Sequence, residues 1–177
     1  ANPNKTPDIL PSYPGLDAGL HGHWGKYNQN NHNDGRWNEG DTGEHFSHVV
    51  KGKGLNVEKG ICVKLGAGHM LSACFDTKSL SYRAVWQDGW VNFQPFRWGS
   101  SRGANIDGKT WFSIPKAEMP KGGEYLGLHR FGKRVVFEYQ IGDTKIQDEP
   151  WAGENSFYRR IDLLNPVTKL SLPCKVM

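Results

Sequence analysis

No apolar run in this chain of 177 residues approaches the ~20 residues that a helix needs to cross a bilayer, so no helical membrane span is expected. Nor is there a dense Lys/Arg block. The net charge of +4 comes from scattered residues, and with no RNA-binding signature a nucleic-acid partner is not expected. Cysteine is scarce: the chain has 3, with no Cys-x-x-Cys among them. That excludes a zinc-ribbon pair, a thioredoxin motif and a c-type haem attachment site within these residues. His-Glu-x-x-His and the Rossmann fingerprint are missing as well, and the expectation is a module that is not an enzyme. Carboxylate pairs for glycoside hydrolysis are a matter of separation in space and leave no string to read. Nowhere does an apolar stripe hold the helical period over three turns, which together with 22 Gly and 10 Pro argues against a helical bundle.

What the chain does have is aromatic mass, with 7 Trp, 6 Tyr and 8 Phe, and this argues against intrinsic disorder. The length suits one domain. From residue 45 onward, short β-like runs alternate with turn residues such as Gln87-Asp88-Gly89, Phe131-Gly132 and Gly142-Asp143. Runs at this spacing predict an all-β fold, an antiparallel β-sandwich of jelly-roll or super-sandwich type. Residues 1–20, with Pro3, Pro7, Pro11 and Pro14, read as an extended arm; 21–165 as the sandwich; 166–177 as a tail. Alternation places Leu80, Tyr82, Ala84 and Trp86 on one strand face. The best short-helix candidate lies around Pro115–Met119.

Ile61–Leu65 and Met70–Phe75 flank the turn Gly66-Ala67-Gly68-His69. A hairpin centred on Gly68 sets Cys62 opposite Cys74, with Cβ atoms roughly 4.5–5.5 Å apart, near disulfide range. The expectation is a Cys62–Cys74 bridge and, with it, a periplasmic or extracellular protein. Two buried thiols in a reduced core fit the same pattern. Cys174 is left over. The polar opening from Ala1 to Asp8 has neither a Met start nor a signal peptide and reads as a mature or trimmed end.

His21, His23, His32, His45 and His48 crowd into 28 residues. His21 and His23 would share a strand face, as a transition-metal pair does. The segment from Asn33 to Asp41 offers Asp34, Glu39 and Asp41 as oxygen ligands, which suggests Ca²⁺, although the spacing is not that of an EF-hand and Asx-turns explain the composition equally well. No cofactor follows with certainty from either cluster. Trp24, Trp37 and Trp98 lie in polar, loop-like contexts, whereas Trp86 and Trp111 lie in alternating strands and are assigned to the core. Flat rings beside Asn38, Arg97 and Arg102 suit a saccharide, whose C–H face packs on the ring while polar neighbours take the hydroxyls; the arginines could take a carboxylate or sulfate.

Several segments resemble an uncharacterised bacterial domain family. They are Gly22–Gly25, Asp34–Asn38, Gly60–Gly66, Ala73–Asp76, Leu80–Trp86, Tyr125–Tyr139 and Phe157–Arg160. The family is a domain of unknown function in large exported proteins, where it typically precedes a sorbosone-dehydrogenase-like propeller and a c-type cytochrome domain. The resemblance implies an exported accessory domain of a redox or carbohydrate-related protein, and it brings no catalytic residues. Ending at Met177 without propeller or haem motif, the sequence reads as an excised piece or as a subunit that works beside other chains. Three functional expectations follow: a saccharide-binding accessory module, a docking subunit of a protein complex, and a metalloprotein using His21 and His23.

Overall fold

The computed structural model describes residues 35, 38–96 and 98–165. The predicted arm and tail, residues 1–20 and 166–177, lie outside them. Eleven strands follow in order: β1 (His45–Gly52), β2 (Leu55–Leu65), β3 (Leu71–Asp76), β4 (Ser81–Gln87), β5 (Val91–Asn92), β6 (Ala104–Ile106), β7 (Lys109–Ser113), β8 (Gly123–Phe131), β9 (Arg134–Ile141), β10 (Thr144–Gly153) and β11 (Ser156–Leu163). Helical structure in the described residues is limited to 3-10 turns, among them Ala67–His69 and Gly99–Arg102.

Two sheets form. One has seven strands in the order β5-β6-β1-β2-β3-β4-β7, the other four in the order β11-β10-β9-β8. The all-β expectation is met, but the larger sheet is mixed, because β1 pairs with β6 in parallel. Each sheet is drawn from its own stretch of chain, in contrast to the interleaved strands of a jelly roll. The tight turns follow from local chemistry: Gly132-Lys133 and Gly142-Asp143 are two-residue hairpin loops, and Gly132 takes φ 62°, open to glycine at little steric cost.

The main core lies between the sheets. Ile61, Val63, Phe75, Leu80, Tyr82 and Val85 of the larger sheet meet Val135, Phe137, Tyr139 and Ile146 of the smaller one. Phe75 stacks on Phe137 with ring centroids 4.2 Å apart. A second core fills the other side of the larger sheet, which curls around Val50, Val57, Cys62, Cys74, Trp86 and Phe93. Strands β2 to β4 are therefore buried on both faces. The smaller sheet covers the larger with one face and turns its other face outward.

Two local expectations need correction. Leu80, Tyr82, Ala84 and Trp86 do not share a face: Phe75 pairs with Tyr82 but Cys74 with Ala84, so Arg83 is an extra residue in β4. This bulge sends Ala84 and Trp86 into the second core while Leu80 and Tyr82 stay in the first. Residues 115–119 form no helix. The buried Arg83 is paired with Asp76 at 2.7 Å and donates to the carbonyls of Ile114 (2.7 Å) and Pro115 (2.6 Å), removing acceptors that a helical turn would need. Pro120 then disfavours a helical conformation at Met119.

Candidate functional site

Of the residues proposed as saccharide contacts, Trp24, Trp37 and Arg97 lie outside the described residues. Asn38 is committed to the backbone. Its amide oxygen accepts from Phe93 N–H at 2.7 Å and its amide nitrogen donates to Phe93 O at 3.3 Å, so it stands in for a strand partner. Trp98 is exposed at the start of the 3-10 turn, where its carbonyl accepts from Ser101 Oγ. Arg102 lies with its guanidinium carbon 5.5 Å from the centre of the Phe96 ring.

His21, His23 and Asp34 lie outside the described residues. Asp41 Oδ1 accepts from Gly43 N–H at 2.7 Å, the Asx-turn arrangement, and Glu39 is exposed. His45 and His48, three apart on β1, point to opposite faces: His45 pairs with Val63, while His48 stacks on Phe46 toward the second core. Among the described residues no three His, Cys, Asp or Glu side chains gather as a metal site. The hairpin register is the expected one, with Cys62 directly opposite Cys74. Both are buried, unbonded thiols in the structure. A hydrogen bond with Cys62 that favours the protonated form, added to burial, raises the Cys74 thiol well above its usual range.

Two strings in the sequence match catalytic or phosphate-binding patterns. Gly99-Ser100-Ser101-Arg102-Gly103 spells Gly-x-Ser-x-Gly, and Gly103 to Thr110 spells Gly-x-x-x-x-Gly-Lys-Thr, the phosphate-loop pattern. Neither stands in the context its chemistry requires. Ser101 sits in a 3-10 turn with its hydroxyl bound to the Trp98 carbonyl at 2.7 Å, not on a strand-to-helix elbow. Gly108-Lys109-Thr110 leads into strand β7, so no helix N-terminus is offered to a phosphate.

The surface that sequence reasoning missed is the outer face of β8–β11. Ile146 and Asp148 of β10 point inward, which turns Glu149 and Trp151 away from the main core. On β11 the same alternation turns Tyr158 and Arg160 outward. Trp151 pairs directly with Tyr158, and Phe131 with Arg134. Trp151 is 53% exposed, Tyr158 56% and Phe131 61%. Gly153 fixes the tilt of the tyrosine: a Cβ there would lie 2.6 Å from Tyr158 Cε2, so the ring leans over bare backbone.

Charge is arranged around these rings. Glu149 is buried although it faces outward, and it accepts from Arg134 Nε at 2.6 Å and Nη2 at 2.8 Å. Those hydrogen bonds, ahead of the arginine's charge, hold the Glu149 carboxyl below the usual carboxylate range. Two concavities meet at this pair. One, about 350 Å³, runs from Trp151 and Arg134 to Lys64, Gly66 and Glu44 at the seam between the sheets; the other, about 410 Å³, lies among Trp151, Tyr158 and Arg160. Arg134, Glu149 and Trp151 line both. Pro150 has no N–H to give, and the β9–β10 ladder ends before it, at Asp148 and Phe137.

Beneath the platform is a buried polar cluster. Asp148 is fully buried and ion-paired with Arg159, and it accepts from Tyr139 Oη at 3.0 Å. The Arg159 guanidinium carbon lies 5.1 Å from the centre of the Tyr82 ring. Burial opposes the arginine's charge, but hydrogen bonding to Asp148 and that carboxylate's charge together outweigh it and raise the guanidinium further. Burial likewise raises the Tyr82 and Tyr139 phenols. Every group is satisfied within the cluster, which suits a rigid support more than a reacting centre.

Residues 73–148 match the sequence model of a family described as a domain of unknown function (DUF6797). The matched stretch runs from β3 into β10 and includes Phe131, Arg134 and Asp148, while Trp151 and Tyr158 follow it. It supports the expected resemblance over these residues and carries nothing about neighbouring domains. No curated protein and no solved structure matches the chain.

Proposed function

We propose that the protein is a non-catalytic, exported binding module whose ligand is a saccharide held on the outer face of β8–β11. The observation that carries this reading is the directly opposed pair Trp151 and Tyr158, exposed side by side and flanked by the Arg134–Glu149 fork. An exposed aromatic pair on a rigid sheet offers flat apolar area at little entropic cost, and the C–H face of a pyranose needs such area. The fork and Arg160 line the same concavity as the rings and supply donors and acceptors for hydroxyls. Export rests on the opposed Cys62 and Cys74, which we read as a disulfide in an oxidising compartment.

Calorimetric titration against a panel of neutral and charged oligosaccharides tests the reading. Saturable binding that Trp151→Ala weakens by about tenfold or more, roughly 1.4 kcal/mol, is expected. Absence of binding across the panel, or binding indifferent to Trp151→Ala, would refute it.

A further inference from the structure

We infer that two copies of this chain join through the outer edge of β11, antiparallel about a two-fold axis at Ile161, independently of what the sheet face binds. A sheet edge carries unpaired N–H and C=O groups, and proteins blunt such edges with short strands, bulges or proline. The edges at β5, β7 and β8 are blunted in this way. β5 has two residues, the β4–β7 ladder slips between Val85 and Trp86, and β8 bulges between Tyr125 and Gly127. β11 is different. It has eight residues without Pro or Gly, its register with β10 is unbroken, and no described strand pairs with its other side. Its inward-facing charge, Arg159, is already held by Asp148 and so does not guard the edge.

The ladder shows which backbone groups are free. Leu164 N–H donates to Lys145 O at 2.9 Å, and Pro150, which has no N–H, lies opposite Arg159. Alternation then gives β10 the backbone groups of Tyr158, Arg160 and Asp162, and leaves those of Arg159, Ile161 and Leu163 pointing outward. Among axes in the middle of the strand, one at Arg159, Arg160 or Asp162 sets a like charge opposite itself, which is unfavourable. An axis at Ile161 does the reverse: Arg160 of each copy meets Asp162 of the other, in the non-hydrogen-bonded pairs where side chains approach closest. Within one chain these two residues already pair at 3.1 Å, 66% and 50% exposed, so exchanging that contact for its counterpart across the axis costs little. The same register lays exposed Tyr158 beside exposed Leu164 at each end, covering apolar surface. The two four-stranded sheets then run on as one, with both aromatic platforms on the same face.

Sedimentation equilibrium tests this on the full chain carrying Cys174→Ser, so that no dimer is held by that thiol. A reversible dimer with a dissociation constant of about 0.1 mM or tighter is expected. Arg160→Asp and Asp162→Arg, each alone, set like charges across the axis and should weaken the dimer about tenfold or more. Combining both substitutions in one chain should restore it, and so should an equimolar mixture of the two single variants. Both positions are exposed, so urea midpoints of the variants should match the parent's. Hydrogen exchange gives a second readout. The amides of Arg159, Ile161 and Leu163 should slow as protein concentration rises, while that of Arg160, already bonded to β10, should not. A parent chain that stays monomeric up to about 0.1 mM, leaving the edge to a different partner, overturns the inference. So does a dimer indifferent to the single variants, or one that the combined exchange fails to restore. None of these outcomes bears on the saccharide reading, which needs only one copy.

Discussion

At the scale of single residues, contact and support fall on different side chains. Trp151 and Tyr158 are exposed, so Trp151→Ala and Tyr158→Ala should change stability by no more than about 0.5 kcal/mol while reducing saccharide binding. Urea unfolding beside titration checks both. Gly153→Ala is a sharper probe, because the added methyl must displace the Tyr158 ring from its place 2.6 Å away. It should weaken binding with Tyr158 still present. Asp148→Ala behaves oppositely. It leaves the Arg159 guanidinium buried without its carboxylate and should cost about 3–5 kcal/mol, seen as a lower urea midpoint. Little of this division is legible in the sequence. Trp86 reads as core from its place in an alternating strand and is fully buried. Trp151 follows Pro150 in a segment with no clean alternation, and its outward aim is known only once Ile146 and Asp148 are seen to face in. Trp98 shows the limit of the opposite inference: a loop-like context correctly marks exposure but says nothing about what stands beside it.

At the scale of elements, the β2–β3 hairpin is the most legible piece, because turn chemistry and two short apolar runs fix its register by themselves. Cys62 faces Cys74 as the centring on Gly68 requires. We expect protein isolated from an oxidising compartment and digested without reductant to yield one peptide pair linked through these two residues. Recovery of both as alkylatable thiols after unfolding would refute the bridge. In reduced protein the raised Cys74 thiol, buried as it is, should resist alkylation until the chain unfolds. The β4 bulge was not legible, since one added residue leaves composition and turn signals unchanged while exchanging the faces of everything after it. The outer platform was hidden for a related reason. Its rings come from β8, β10 and β11, and no local pattern states that these strands lie side by side.

At the scale of the whole molecule, pH sets two edges to stability. Burial raises the phenols of Tyr82, Tyr139 and Tyr125, the last to about 12. An unfolded chain releases these protons near 10, so their contribution is whole below that pH and is lost as pH climbs through the folded values. Glu149 and Glu138, held low mainly by hydrogen bonds from Arg134 and from Gln147, act in the other direction. Their contribution is present above 4.5 and disappears as pH falls through the lowered folded values. Urea midpoints should therefore fall as pH rises above about 10, and again below about pH 4.

The parallel pairing of β1 with β6 carries a kinetic consequence. Val50 and Lys51 meet Ala104 and Asn105 only after β2, β3, β4 and β5 have been laid down between them. Every other ladder of the larger sheet is antiparallel, and most join neighbours in the chain. Closing the long loop costs entropy that the hairpins do not pay, so the β5–β6 margin should be the last part to zip and the first to open. In native-state hydrogen exchange, the amides of residues 104–106 should trade their protons well ahead of those in β2 to β4, and the core around Trp86 would meet solvent from that side first.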